Sequence, residues 1–394
     1  MTPVFLNDIG IVSALGHGVA ATREALFATD GPLGVRPTDG HTPGRPLHLG
    51  CVADPLPDLS QAPVRFRSRN NRLIAAALAQ IRPQVDRAVA RWGPSRVGIV
   101  LGVSTAGLDE GIAARRAHAA GLPWPAGYDY AQQEMGNAAA WLAHELSVRG
   151  PAHVISTACS SGAKALASAA RLLRGGRLDA VLAGGADALS GFTIAGFGAL
   201  ESVSADRCNP MSIDRRGINI GEGAALFLMS REPGPVRLAG WGESSDAHHM
   251  SAPDPTGHGA LAAMRLAIER AGIDSDAIDY VNLHGTATPQ NDAMESRAVA
   301  ELLGLRVPVS STKPLTGHAL AAAGAIEAAL GWCCLVDNPA HRLPPHWWDG
   351  RRDPALPALH LVAPGESAIR PIRHVLSNSF AFGGSNASLL LATA

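Results

Sequence analysis

Short apolar segments that resemble buried strands alternate with helical patterns along the whole chain. The strand-like segments lie at residues 97–102, 154–157, 180–183, 280–283, 309–311 and 375–377. The helical patterns are clearest at residues 71–89, 163–174, 259–271, 292–303 and 319–336. This alternation predicts an α/β protein in which helices cover buried sheets.

The two halves of the chain begin alike. Val4-Phe5-Leu6 leads to a glycine and a serine in the first half, and residues 236–242 lead to Ser244-Ser245 in the second. Glycine and proline are spread along the chain and are not gathered in a linker, which favours one compact unit. We therefore expect two similar halves, residues 1–235 and residues 236–394, within that unit.

Composition excludes several classes of protein. A formal net charge of -1 over 394 residues argues against a general nucleic-acid binder. The five cysteines are scattered and include no C-x-x-C pair, which favours the reducing cytoplasm over a disulfide framework or a zinc site. The longest apolar run, residues 319–336, is interrupted by Glu327 and predicts an internal helix, not a membrane span.

One cysteine stands where a strand-like run turns into a helical pattern. The run Val154-Ile155-Ser156-Thr157-Ala158 leads to Cys159, and small residues and an alanine-rich pattern follow. The N-terminus of a helix favours negative charge, so we expect the reactive thiolate to form more easily at this position. The alternative is that Cys159 is a small buried hydrophobic residue, and this stretch alone does not decide between the two.

Two histidines occupy matching places in the second half. His284 follows the run at residues 280–283, and His318 follows Lys313 after the run at residues 309–311. The carboxyl ends of strands face the ligand crevice of α/β proteins. Nearer the C-terminus, Gly383-Gly384 would let backbone N–H groups point inward, as an oxyanion site requires, although a structural turn is the alternative. Together these groups provide a nucleophile, a proton-handling pair and a charge stabiliser.

Four stretches resemble, in order, those of the elongating β-ketoacyl-acyl-carrier-protein synthases of the thiolase superfamily. They are Thr157-Ala158-Cys159-Ser160-Ser161-Gly162, His284-Gly285-Thr286-Ala287-Thr288, Lys313-Pro314-Leu315-Thr316-Gly317-His318 and Asn378-Ser379-Phe380-Ala381-Phe382-Gly383-Gly384-Ser385-Asn386. The resemblance covers nearly the whole chain. It implies a thiolase-like, five-layered αβαβα fold with two pseudo-symmetric halves, the first carrying the nucleophilic cysteine and the second the two histidines.

The resemblance also implies an acyltransferase that forms a carbon–carbon bond. An acyl group on Cys159 would undergo decarboxylative Claisen condensation with malonyl-acyl-carrier protein in fatty-acid, polyketide or polyene chain elongation. The backbone N–H groups of Cys159 and Phe382 would hold the oxyanion. His284 and His318 would stabilise the enolate formed as carbon dioxide leaves, and Lys313 would order this cluster.

Supporting roles follow from the same resemblance. Glu327 would be costly to bury unpaired, so it is expected to accept hydrogen bonds from the region of Lys313 and His318, and Asp292 is a second supporting acid. Thr286 and Thr288 match residues that bind the pantetheine arm. The substrates are carried on phosphopantetheine, and no separate cofactor or metal is implied.

The implied partner is acyl-carrier protein, which is acidic. Arg65, Arg69 and Arg72 lie in a run that resembles the family's docking segment, and Arg207 is a further candidate contact. Members of the family are usually dimers, so a homodimer, or a heterodimer with a related ketosynthase or chain-length-factor subunit, is expected.

The sequence departs from the usual family pattern in two places. Phe382 matches an aromatic gate, but Ala381 stands where the family usually has glycine, which predicts a stiffer gate loop. Ile213 and Ile218 replace aromatic residues of housekeeping fatty-acid enzymes. Glu222-Gly223 is more similar to the polyketide-type synthases, which favours a specialised polyketide or polyene product.

Other classes fit the sequence less well. A thiolase needs a second catalytic cysteine in the C-terminal glycine-rich loop, and residues 377–388 contain none. An initiating synthase would have asparagine in place of one histidine. A catalytically silent chain-length factor lacks the cysteine, whereas Cys159, His284 and His318 are all present. No G-x-S-x-G motif, P-loop or Rossmann fingerprint occurs.

Overall fold

The computed structural model describes residues 2–394, which form an α/β structure. The strands are β1 Phe5–Ser13, β2 Gly16–His17, β3 Arg36–Thr38, β4 Leu47–Leu49, β5 Val97–Gly102, β6 Ala152–Ile155, β7 Ala180–Asp187, β8 Gly223–Ser230, β9 Val236–Ser245, β10 Tyr280–Asn282, β11 Pro308–Ser310, β12 His360–Leu361, β13 His374–Ala381 and β14 Ser385–Thr393. The α-helices are α1 Val19–Leu26, α2 Arg69–Trp92, α3 Leu108–Ala119, α4 Asn137–Leu146, α5 Ser161–Arg174, α6 Gly191–Ala199, α7 His258–Ala271, α8 Pro289–Leu303, α9 Lys313–Thr316 and α10 Ala323–Leu335.

The same strand order occurs twice. In the first half the order is β6-β5-β7-β8-β1, and in the second it is β11-β10-β13-β14-β9. The first three strands of each set are parallel, and the last two pair antiparallel. A short antiparallel pairing of β1 with β9 joins the two sets. The similar segments at the start of the two halves therefore form β1 and β9, the corresponding strands of a structural repeat.

Helices complete the predicted five layers. Helices α5 and α10 pack against each other between the two strand sets, while α2 covers β1 and β8, and α7 covers β9 and β14. Close approach in the middle layer requires glycine, because a Cβ atom at Gly162 would lie 2.8 Å from the backbone nitrogen of Ala325. A Cβ atom at Gly324 would lie 2.9 Å from the backbone nitrogen of Ala163.

The apolar segment at residues 319–336 is an internal helix preceded by a tighter turn. A 3₁₀ turn spans Leu320–Ala322, and α10 begins only at Ala323 because Leu320 adopts a φ of 47°. Ala323 to Cys334 are all buried, including Glu327. Among residues 2–394, no helix combines the length and apolarity needed to cross a membrane.

Candidate active site

A strained turn presents Cys159 at the beginning of α5. Strand β6 ends at Ile155 and α5 begins at Ser161, and between them Ala158 adopts a φ of 51°, which is unusual for a residue with a side chain. The backbone N–H of Thr157 donates to Ser161 Oγ at 2.8 Å, which ties the turn to the helix. Cys159 is 5% exposed, at the base of a cavity of about 270 Å³.

The turn brings Cys159 together with both predicted histidines. One ligand atom from each of Cys159, His284 and His318 lies within 4.8 Å of the others. His318 Nε2 is 3.0 Å from Cys159 Sγ, and the two imidazole rings meet edge to face with centroids 5.3 Å apart. All three residues line the cavity, so a substrate that enters it meets the thiol and both imidazoles at once.

The two imidazoles make their hydrogen-bond contacts through different ring nitrogens. His284 Nδ1 lies 3.5 Å from Lys313 Nζ and accepts from it, which leaves the proton on Nε2. His318 Nε2 lies 3.0 Å from the Cys159 thiol, and a thiol that donates to it requires the imidazole proton to be on Nδ1. Burial, reinforced by the Lys313 charge, holds the pKa of both imidazoles well below the usual value, so both are neutral near pH 7.

Lys313 forms an ion pair with Glu327 inside the protein. Lys313 Nζ donates to Glu327 Oε1 at 2.5 Å, and the two side chains are 1% and 2% exposed. Burial raises the pKa of the Glu327 carboxyl, and the Lys313 charge offsets part of that rise. The pair thus holds the ammonium group in position beside His284.

Two acids on the first turns of α8 fix the loop that carries His284. Asp292 accepts from the backbone N–H groups of Met211 at 2.8 Å and Ala287 at 3.2 Å. Glu295 accepts from the backbone N–H groups of His284 and Gly285, both at 2.7 Å, and burial raises its pKa to about 7. In the sequence Glu295 opens the helix together with Asp292, and its i+3 spacing from Asp292 places both acids on one face of that helix.

The glycine loop brings a backbone donor to the cysteine. The N–H groups of Phe382 and of Cys159 itself both stabilise the thiolate form of Cys159. Gly383 and Gly384 adopt φ values of 81° and 71°, which only glycine reaches freely. Ala381 has a φ of -98°, an ordinary value for alanine, so its substitution for glycine introduces no strain in this conformation.

The environment of Cys159 contradicts the expectation that its thiolate forms easily. Burial raises the pKa of the Cys159 thiol to about 11, and this effect outweighs the opposing influence of Lys313 and of the two N–H groups. The prediction was wrong because it considered the helix end and not the loss of water around the sulfur. Deprotonation therefore depends on a proton acceptor, and His318 Nε2 lies in contact with the sulfur.

We expect alkylation of Cys159 by iodoacetamide to accelerate continuously with pH. With a thiol pKa of about 11, the thiolate fraction rises about tenfold per pH unit between pH 7 and pH 10. The measurement is the rate of mass increase at Cys159 across that range, with Cys159→Ala as the blank. A rate that reaches its plateau near pH 7 would instead support the low pKa that the sequence suggested.

The predicted pantetheine residues lie at the wall of the cavity. Thr286 and Thr288 line it, and their hydroxyl groups are 2.9 Å apart. The Phe382 ring also lines the cavity, with its centroid 5.6 Å from that of Phe197 on α6. The side chains predicted to bind the arm and to gate the pocket are thus brought together with the catalytic candidates.

The predicted docking arginine Arg69 has a partner inside the protein. Its Nε donates to Glu222 Oε2 at 2.8 Å, and Glu222 is buried. Glu222 also accepts from the backbone N–H groups of Val52 and Leu189. The Arg69 charge is therefore neutralised where it lies, because Glu222 would otherwise be an uncompensated buried carboxylate.

The other predicted docking arginines differ in exposure. Arg72 and Arg207 are half-buried, and each donates to two backbone carbonyl oxygens, at distances of 2.7–3.1 Å. Arg65 is exposed, with its guanidinium carbon 4.8 Å from the centroid of the Phe66 ring. The structure does not bring these four arginines together at the cavity that holds Cys159.

A buried acid that the sequence analysis missed lies behind His318. Asp187, at the end of β7, accepts from the backbone N–H groups of Ser104 and Thr105, both at 2.8 Å, and of Ala321 at 2.7 Å. It therefore fixes the turn that follows His318. No sequence signal marks it, because its three donors lie about 80 and 130 residues away.

Among residues 2–394, Cys159, His284 and His318 are the one cluster whose donor atoms are close enough to ligate a metal ion. Two imidazoles and a thiolate are a possible zinc ligand set. The same three atoms face the cavity as nucleophile and hydrogen-bonding groups, and the absence of a metal stays a prediction.

Models of one protein family match both halves of the chain. The model described as "Beta-ketoacyl synthase, N-terminal domain" matches residues 76–233, and "Beta-ketoacyl synthase, C-terminal domain" matches residues 236–342. The 3-oxoacyl-[acyl-carrier-protein] synthase 2 of Rhizobium meliloti (strain 1021) is 31% identical over 423 residues, which cover 99% of each chain.

Solved structures of ketosynthases resemble this protein over the whole chain. The structure of the ketosynthase ApeO in complex with its chain length factor ApeC from Xenorhabdus doucetiae contains a chain that is 44% identical. It aligns with a TM-score of 0.94 over 100% of this chain and 98% of that one. A β-ketoacyl synthase from Burkholderia phymatum STM815 is 29% identical, with a TM-score of 0.86 over 100% of both chains.

Proposed function

This chain belongs to the β-ketoacyl synthase family, and from that premise we propose how its residues perform the family's reaction. The enzyme condenses a cysteine-bound acyl group with a malonyl unit on acyl-carrier protein and releases carbon dioxide. One observation carries the assignment of roles, namely that Cys159, His284 and His318 present their reactive atoms to one cavity within 4.8 Å of one another.

In the first step Cys159 takes the acyl group. Its Sγ attacks the thioester carbonyl of the acyl-carrier substrate while the thiol proton moves to His318 Nε2, 3.0 Å away. The N–H groups of Cys159 and Phe382 hold the oxyanion of the tetrahedral intermediate. The pantetheine sulfur then leaves as a thiolate and takes the proton from His318, so both imidazoles are neutral again.

In the second step malonyl-carrier protein enters and loses carbon dioxide. The electron pair of the breaking carbon–carbon bond becomes an enolate, whose oxygen accepts from the Nε2–H of His284. His318 Nδ1 makes no hydrogen bond within residues 2–394, so no partner prevents this imidazole from carrying its proton on Nε2 once the thiol proton is gone. Both histidines then stabilise the same oxygen.

The third step forms the product. The enolate carbon attacks the acyl carbonyl on Cys159, and the oxyanion again meets the N–H groups of Cys159 and Phe382. Sγ then leaves as a thiolate and takes one proton from solvent, which restores the thiol. The product is a β-ketoacyl-carrier protein two carbons longer than the starting acyl group. Lys313 orients His284, Glu327 holds Lys313, and Asp292 fixes the loop whose Thr286 and Thr288 bind the pantetheine arm.

We assign two partners to this enzyme. Acyl-carrier protein delivers both substrates on phosphopantetheine, so no separate cofactor is needed. Arg65 is the exposed member of the four predicted docking arginines. Arg69, Arg72 and Arg207 already donate to groups inside the protein, so a contact with the carrier would be additional to those bonds. The first contact with the carrier therefore falls to Arg65.

The second partner is another subunit of the ketosynthase type. Strand β6 ends its sheet, so its outer edge is unpaired within residues 2–394. Leu122, Trp124, Tyr130 and Phe192 are large exposed apolar side chains, between 49% and 66% exposed, on the segment before β6 and on α6. An unpaired strand edge and large exposed apolar side chains are features of subunit interfaces. They support a dimer, either with a second copy or with a chain length factor like the one in the ApeO complex.

The pathway is proposed to be a specialised one. The solved relative that is 44% identical is from a complex of a ketosynthase with its chain length factor, and the ishigamide ketosynthase/chain length factor is a second such structure. We therefore favour polyketide or polyene elongation in the cytoplasm. A silent chain-length-factor role is disfavoured because Cys159, His284 and His318 meet in one cavity.

The test is to supply both substrates on carrier protein. We expect the enzyme, with its partner subunit if required, to convert acyl- and malonyl-carrier protein to a β-ketoacyl-carrier protein with release of one carbon dioxide per product. Intact-mass analysis of the carrier and labelled carbon dioxide measure the two products separately. Acyl transfer to Cys159 without any chain extension would refute the synthase assignment for the acyl and malonyl groups tested.

A further inference from the structure

A third histidine, His346, is buried behind the active site without facing its cavity. It is 2% exposed and follows Pro344-Pro345, in the segment between α10 and β12. Its Nδ1 accepts from the backbone N–H of Ser311 at 3.0 Å, and its Nε2 donates to the carbonyl oxygen of Pro210, also at 3.0 Å. Each ring nitrogen is thus committed to a different backbone segment.

The Ser311 contact leads directly to the catalytic cluster. Ser311 is the residue after β11, two positions before Lys313. Its hydroxyl donates to the carbonyl oxygen of Gly285 at 2.7 Å and accepts from the backbone N–H of Lys313 at 3.3 Å. Ser311 therefore ties the segment that carries Lys313 to the turn that follows His284, and His346 holds Ser311.

The Pro210 contact reaches the same turn from the other side. Met211, next to Pro210, donates through its backbone N–H to Asp292, which also accepts from Ala287. His346 thus connects two segments on either side of residues 285–288. A neutral imidazole is suited to this position because one nitrogen accepts while the other donates. Burial lowers the pKa of His346 to about 4, so the ring stays neutral at the pH of an assay.

We propose that His346 is a positioning residue for the extender half of the reaction, acting through Ser311 on Lys313 and His284. This inference rests on the proposed function, because it assumes that His284 and Lys313 serve decarboxylation of the malonyl group. It predicts that substitution of His346 slows malonyl decarboxylation and leaves acyl transfer to Cys159 nearly unchanged. Acyl transfer to Cys159 uses His318 and the Phe382 N–H, neither of which His346 contacts.

The experiment compares His346→Asn, His346→Gln and His346→Phe in the full chain with its partner subunit. Asparagine places an acceptor near the position of Nδ1 and can keep the Ser311 contact, whereas glutamine places its amide near Nε2 and phenylalanine keeps only the volume. We expect malonyl decarboxylation to fall on the order of 100-fold in His346→Phe, and less in His346→Asn than in His346→Gln. Acyl loading of Cys159 should stay within about threefold of wild type.

The controls separate this role from general destabilisation. His374→Ala removes a half-buried histidine that also bonds a backbone carbonyl, at the end of β13 remote from Phe382, and should leave both half-reactions unchanged. Ser311→Ala should reproduce the selective loss of decarboxylation if His346→Phe does not fold. Equal losses of acyl loading and decarboxylation, or no advantage of asparagine over glutamine, would overturn the inference. A wild-type protein that performs neither half-reaction would instead refute the proposed function.

Discussion

Cys159→Ala is expected to abolish acyl loading while it leaves malonyl decarboxylation in place. Sγ is the atom that forms the thioester, so its removal should lower acyl transfer by on the order of 10⁴-fold or more. The enolate is stabilised by His284 and His318, which keep their contacts with Lys313 and with the backbone when the sulfur is removed. Decarboxylation should therefore remain within about tenfold of the wild-type rate.

Intact mass after incubation with acyl-carrier protein measures the first half-reaction, and release of labelled carbon dioxide measures the second. Cys51→Ala is the matched control, because Cys51 is a half-buried cysteine bordered by Glu222 and Arg69, away from the cavity. It should load acyl groups like the wild type. An acyl-sized mass increase on Cys159→Ala would show that another residue is the nucleophile and would refute the assigned mechanism.

The reactive residues were predicted from sequence because local patterns mark them. Cys159 lies between β6 and α5, and His284 follows β10. The short helix α9 separates His318 from β11, so in each case neighbouring residues set the place in the α/β fold. The structural repeat also left a trace in the sequence, since β1 and β9 both begin with an apolar run and continue through glycine to serine. These features and the family resemblance predicted the fold class, which the structure and the solved relatives confirm.

The pKa values and hydrogen-bond partners of these residues could not be predicted from local sequence patterns. The pKa of the Cys159 thiol depends on how much water the whole fold excludes. Burial raises this pKa, although the helix end favours the thiolate. Asp187 and His346 act through backbone groups that lie between 35 and 136 positions away in sequence. Arg69 resembled a docking residue, yet its nearest acid is Glu222, 153 positions later.

The buried ion pair between Lys313 and Glu327 should have the largest effect on stability. The chain has only two lysines, Lys164 and Lys313, and the second is enclosed with its carboxylate partner. Lys313→Met leaves Glu327, on the buried helix α10, without a counter-charge in the protein interior. This should cost about 3–5 kcal/mol of unfolding free energy. Lys164→Met is the control, since Lys164 is half-exposed and bonds only a serine hydroxyl, and we expect it to cost less than about 1 kcal/mol.

The defect of Lys313→Met should also depend on pH in a defined direction. Burial already raises the pKa of Glu327 above 4.5, and loss of the Lys313 charge raises it further. An acid whose pKa is higher in the folded than in the unfolded protein loses stability as pH rises from its unfolded value through its folded one. In urea unfolding, the loss of unfolding free energy relative to wild type should therefore be larger at pH 8 than at pH 5.

Lys313→Met combined with Glu327→Met should recover most of the lost stability and remove the pH dependence that Glu327 introduces, because no uncompensated charge remains. Additive costs of the two substitutions would mean that the ion pair is not the source of the effect.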